Sequence, residues 1–147
     1  MSRPVSLGAL REAVAAGVDP LLVTAMVAKE SSFQSRVVSS AGAVGLMQVR
    51  PWVARDVAER RLDTGLEWHG VETLHDPDAN VRLGILYYLE LMGRFNSDPV
   101  TALEAYNRGP SRVSRELRDG TFSSSRYSEG VLGLYEELDA ERASLDG

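Results

Sequence analysis

The chain of 147 residues has no cysteine, which excludes disulfide frameworks, thiolate nucleophiles and cysteine-ligated zinc. Lysine is almost as scarce: Lys29 is the only one, so arginine carries nearly all the positive charge. Lys plus Arg total 16 against 21 Asp plus Glu, a net charge of −5 at pH 7. No block of basic residues breaks this balance, so no nucleic-acid partner and no anionic lipid surface is expected. No apolar run approaches the ~18 residues of a membrane span, so no membrane insertion is expected either. The start, Met1-Ser2-Arg3-Pro4, leads into a mixed segment with Arg11 and Glu12 rather than an apolar signal region. Alternating β-branched stretches are also missing, which argues against a sheet.

What remains is an ordinary globular composition, with 44% hydrophobic and 25% charged residues. Such a length suits a single domain over 1–147 with one sizeable core. Asp19-Pro20, Asp76-Pro77 and Asp98-Pro99 each have the form of an aspartate N-cap followed by proline at the first helical position. Three such starts predict an all-α fold. Helices are expected over about Leu7–Ala16, Pro20–Ser32, Pro51–Arg60, Pro77–Gly93, Asp98–Tyr106 and Ser111–Arg118, with a last one capped by Ser123 or a nearby serine. Residues 34–44 are expected as loop, and 62–75 as irregular. The 77–93 segment has an apolar stripe of Val81, Ile85, Tyr88, Leu89 and Met92; the last helix has Tyr127, Val131, Leu134, Tyr135 and Leu138.

The second helix carries the first chemical signal. From Leu21 to Ala28 only Thr24 is not apolar, and Lys29-Glu30-Ser31-Ser32 follows at once. Glu30 thus falls at the C-terminal turn of a buried helix, where apolar surroundings and the negative end of the dipole both raise a carboxyl pKa. A carboxylic acid kept protonated near neutral pH is what general-acid cleavage of a glycosidic bond requires. The plain alternative is a solvated helix-end glutamate paired with Lys29 or an arginine.

Glu30 has company. Downstream come Ser39-Ser40-Ala41-Gly42-Ala43-Val44-Gly45-Leu46-Met47-Gln48 and Pro51, then Asp76-Pro77, Asn80-Val81 and Gly84, then Ala105-Tyr106-Asn107-Arg108-Gly109-Pro110. This ordered set closely resembles the catalytic domain of the soluble lytic transglycosylases, a goose-type-lysozyme-like family that cleaves peptidoglycan. The resemblance runs from about Leu21 to Tyr135 and implies a compact lysozyme-like helical domain with a substrate groove and no cofactor. It matches Glu30 to the family's single catalytic acid/base and Ser39 to a hydroxyl contacting the sugar beside the scissile bond. Gln48 matches an amide that contacts substrate, Tyr106 the tyrosine placed beside the glutamate, with Asn107 accompanying it. Tyr127 with Val131 resembles the closing Tyr-Val-x-x-Val segment. Each has a structural alternative: a turn or cap for Ser39, core packing for Tyr106 and Tyr127, and turn and core contacts for Gly42, Gly45 and Met47.

The reaction that the resemblance implies uses one carboxyl twice. Glu30 protonates the oxygen bridging N-acetylmuramic acid and N-acetylglucosamine, then takes the proton of the muramyl C6 hydroxyl as it closes a 1,6-anhydro ring. A second carboxylate would indicate hydrolysis instead; Asp63, Glu67, Glu72, Asp76 and Asp78 are the candidates, with Asp76 read as a cap and the others as loop charges. Three departures fall at expected substrate positions. Ser123 stands where many members have glutamate, Arg50 where an apolar residue precedes the proline, and Arg108 replaces a small residue and is placed to narrow the groove or grip a carboxylate of the wall. His69 and His75 are six apart and lack metal-ligand company, so no metal is expected. Trp52 is expected in the core, and Trp68 is left between core and sugar stacking.

The expected partner is therefore peptidoglycan, met by a monomer acting alone or within a larger assembly. A muramidase on the same scaffold, and a glycan-binding module of a phage particle or secretion apparatus, are the competing readings. Action on the wall without a signal segment is expected of an excised domain or one delivered by holin-type lysis, virion packaging or a secretion machine.

Overall fold

The computed structural model describes residues 7–146, which hold eight α-helices and, among the described residues, no strand. These are α1 (Leu7–Ala15), α2 (Pro20–Ser31), α3 (Pro51–Arg60), α4 (Glu72–His75), α5 (Pro77–Arg94), α6 (Pro99–Arg108), α7 (Pro110–Asp119) and α8 (Arg126–Asp146). The all-α expectation holds. The chain divides at Tyr87/Tyr88, inside α5, into two compact units.

Proline and aspartate set the helix starts, though not all in one way. Asp19 accepts the N–H of Leu21 at 3.0 Å, and Asp76 accepts that of Asp78 at 3.3 Å. Asp98 makes no side-chain cap to the helix backbone; its carboxylate instead takes the hydroxyl of Thr101. The segment expected to be irregular, 62–75, contains a 3-10 turn at Leu62–Thr64 and all of α4. Its turns are too short for periodicity to reveal.

In the first unit, α2 buries Val23, Ala25, Met26, Val27 and Ser31, as its apolar run predicts. Its core extends into the loop before α3, where Val44, Leu46, Met47 and Val49 are buried. That loop has only two isolated bridges, Val38 with Val44 and Val44 with Val49, and so lacks a ladder of its own. Asn80 on α5 supplies the missing bonds. Its side chain is fully buried, accepts the N–H of Met47 at 2.8 Å and donates to the carbonyls of Val44 at 2.8 Å and Leu74 at 3.0 Å. Two glycines admit the close approach. A Cβ at Gly45 would stand 2.3 Å from Asn80 Nδ2, and one at Gly84 would stand 2.6 Å from Met47 Sδ.

In the second unit, α6 buries Thr101 through Tyr106 without a break. Helix α8 buries Ser128 and Val131, while Leu134, Tyr135 and Leu138 of its expected stripe are only half-buried and residues 139–146 are exposed. The stripe is therefore core in its first two turns and surface beyond.

Asn80→Ala removes three buried hydrogen bonds at once and leaves polar backbone groups behind, which costs roughly 3 kcal/mol or more. The expected outcome is a large drop in the denaturant midpoint, while the exposed-site control Arg55→Ala changes it little.

Candidate functional site

Glu30 is the penultimate residue of α2 and half-buried. The helix ends directly after it, because Ser32 (φ 51°) and Phe33 (φ 64°) are both left-handed. The N–H of Ser32 closes on the carbonyl of Ala28 at 3.1 Å, and that of Gln34 on Ser31 at 3.1 Å. Non-glycine residues in this region cost about 1–3 kcal/mol each and cluster at functional sites. Gln48, with φ 48°, is a third such residue in the same unit.

Ser39 and Gln48 lie on the loop that Asn80 braces. Ser39 closes a tight turn: its hydroxyl oxygen accepts the N–H of Ala43 at 3.0 Å, and its carbonyl accepts that of Gly42 at 2.9 Å. Gly42 occupies the left-handed position that this turn requires, at φ 85°. Gln48 Nε2 donates to the carbonyls of Val37 and Gly45, both at 3.1 Å. Both side chains thus shape the loop.

An open cleft of about 430 Å³ in the first unit is lined by Glu67, His69, Glu72 and Asp76, together with residues such as Leu66 and Ala79. Neither Glu30, Ser39 nor Gln48 lines it. Glu67 lies 3.2 Å from His69, while Asp63 is held by Arg61, whose hydrogen bond and charge keep the carboxyl below its ordinary range. Among the described residues no cluster of histidines and carboxylates is arranged to hold a metal. Trp52, expected in the core, is 67% exposed at the first turn of α3. Its helix begins at Pro51, and Val53, Ala54, Val57 and Ala58 supply the buried face instead. Trp68 is half-buried.

Tyr106 and Asn107 end α6 in the second unit, with Tyr106 buried and Asn107 exposed. Tyr127 is half-buried in the first turn of α8. Between these helices lies a group that the sequence did not single out. Glu104 is fully buried, and its carboxylate receives the N–H of Ser125 at 2.8 Å, the Ser125 hydroxyl at 2.7 Å and the N–H of Ser128 at 3.4 Å. Arg108 Nη1 lies 3.2 Å from the same carboxylate, and its Nη2 lies 2.9 Å from Glu116. Arg108 also donates to the Ser123 carbonyl at 2.8 Å and stacks over Phe122 at 5.3 Å. The expectation that Arg108 faces substrate is corrected: its guanidinium is committed to the protein. The one signal in the sequence was the Glu104–Arg108 spacing of four residues, which surface helices share.

Burial pushes the Glu104 carboxyl up, but hydrogen bonds from Ser128 and Ser125 and the Arg108 charge outweigh it and hold the group below its ordinary 4.5. A depressed folded pKa contributes stability that is present above the unfolded value and lost as pH falls through the folded one. The second unit should therefore weaken as pH drops below about 4.5. Glu104→Gln removes one of the two carboxylates that pair with the buried Arg108 and leaves it Glu116 alone, at a cost of about 3 kcal/mol near neutral pH. Denaturant midpoints between acid and neutral pH should accordingly be lower for Glu104→Gln and less steeply dependent on pH than for the wild type.

Comparison with known proteins places these features in a family. Residues 9–127 match the Transglycosylase SLT domain. An endo-type membrane-bound lytic murein transglycosylase A from Klebsiella pneumoniae is 42% identical, covering 85% of this chain and 61% of that one. The chain therefore spans less than two-thirds of the length of that curated relative. Among solved structures, an inactive glutamate-to-glutamine mutant of the lytic transglycosylase Slt from Pseudomonas aeruginosa is 30% identical. It superposes with a TM-score of 0.75 over 90% of this chain and 24% of that one. The 70 kDa soluble lytic transglycosylase of Escherichia coli shares the fold, with a TM-score of 0.74 at 23% identity, over 90% of this chain and 24% of its own. A family match over residues 9–127, most of the chain, shows that this chain belongs to the Transglycosylase SLT domain family.

Proposed function

We propose that the chain is a peptidoglycan lytic transglycosylase, acting on the cell wall as one catalytic domain over 1–147. The observation that carries this reading is Glu30: a half-buried carboxyl at the exit of an apolar helix, followed by two left-handed residues, in a chain of this family. Relatives named lytic murein transglycosylases support it, as does the solved relative whose single glutamate-to-glutamine change is inactive.

The chemistry needs one group that gives a proton and takes another back. Glu30 enters protonated and delivers its proton to the bridging oxygen of the muramyl–glucosaminyl bond as positive charge develops at the anomeric carbon. The resulting carboxylate then accepts the proton of the muramyl C6 hydroxyl, whose oxygen bonds to that carbon. The products are a free glucosaminyl hydroxyl and a 1,6-anhydro-muramyl end, with no water consumed. Ser39 contributes its hydroxyl proton to the sugar and Gln48 its amide oxygen, since their other polar atoms hold the loop. In the second unit, Tyr106, Asn107 and Tyr127 are the residues that the resemblance assigns to substrate.

Hydrolysis would need a second carboxylate beside a water. Of the exposed candidates, Asp63 is engaged with Arg61 and Asp76 serves as a cap. Purified peptidoglycan digested with the protein should thus yield anhydro-muropeptides by mass spectrometry, and reducing muramyl ends as the main product would sink the proposal. Glu30→Gln should abolish turnover by at least about 100-fold, the scale of lost general-acid catalysis, with an unchanged melting temperature. Tyr106→Phe should slow turnover without unfolding the chain.

A further inference from the structure

Glu104 lies two residues before Tyr106 and has no role in the chemistry just described. It is a fully buried carboxylate among buried neighbours Ala102, Leu103 and Ala105. Such a placement adds little stability over a well-packed apolar side chain, so its retention calls for a directional role. Apart from the Arg108 guanidinium on its own helix, the partners of its carboxylate lie in one place, the start of α8. Ser125 gives it both an N–H and a hydroxyl proton, and Ser128 an N–H. The Ser125 oxygen in turn accepts the N–H of Tyr127 at 3.2 Å. Carboxylate, hydroxyl and Tyr127 backbone thus form a single relay. One turn further along α6, Arg108 grips the Ser123 carbonyl and covers Phe122, which fixes the same connection from its other end. A serine alone suffices to cap a helix; the carboxylate behind it adds a fixed direction.

We propose that Glu104 is a positioning residue, holding the first turn of α8 so that the half-buried Tyr127, its hydroxyl buried, meets the glycan with its ring in one orientation. This rests on the lytic transglycosylase reading, and its test is separable from that reading. Amide hydrogen exchange is measured together with the Kd for soluble glycan strands, the latter on the Glu30→Gln background so that no turnover intervenes. In Glu104→Gln the exchange of the Ser125 and Ser128 amides should rise at least about tenfold more than that of Val131, which follows only the general loss of stability. The Kd should rise about fivefold, the scale of one lost polar contact. Added to Tyr127→Ala, Glu104→Gln should change the Kd by less than about twofold, because the side chain it positions is gone.

Unchanged exchange, unchanged Kd, or an equal effect with and without Tyr127 overturns the proposal. If Glu104→Gln does not fold, Ser125→Ala removes only the relay hydroxyl and should show the same pattern at smaller amplitude. A wild type that binds strands but cleaves none counts against the lytic reading alone, and exchange and Kd still decide the positioning role. A wild type that binds no strand overturns both.

Discussion

Buried backbone that turns and bridges leave unpaired must find its hydrogen bonds on side chains, and here Asn80 and Glu104 supply them. Each is fully buried, and each projects from a helix onto an irregular segment. Asn80 offers both a donor and an acceptor, which suits a loop that presents N–H and carbonyl groups together. Glu104 offers only acceptors, which suits the start of a helix, where several N–H groups point the same way. The side chain in each case matches the polarity of the backbone it serves.

This constraint explains the spacing of the small residues around it. Gly45 is small because the Asn80 amide occupies the space of its side chain, and Gly84 because Met47 packs onto the helix backbone there. The motif stretch from Ser39 to Gln48 therefore has a structural logic of its own. Its turn, its brace and its glycines shape a loop.

Helix starts were legible in the sequence because Asp-Pro acts locally, within three or four residues. The place of Glu30 at the exit of α2 was legible because the apolar run and the helix end are both local in sequence. Glu104 was not: in a chain with 21 acidic residues it looks like any surface glutamate, and its partner Ser125 lies 21 positions away. Trp52 misled for the opposite reason. An aromatic residue beside a proline is apolar in any count, and only the packing of α3 shows that Val53 and Val57 take the buried side. Arg108 reads as a departure at a substrate position, yet its task follows from two acids, one four residues before it and one eight residues after.

The exposure of Trp52 also makes the chain a natural two-channel reporter. Its only tryptophans, Trp52 and Trp68, fall in the first unit, whereas Tyr88, Tyr106, Tyr127 and Tyr135 fall in the second. Indole emission therefore watches the half that carries the catalytic candidate, and tyrosine absorbance watches mainly the other. Trp52, already largely in water, would respond to something settling on its face more than to unfolding, while Trp68 would register loss of structure. The two halves of one small helical chain can be followed separately without a label.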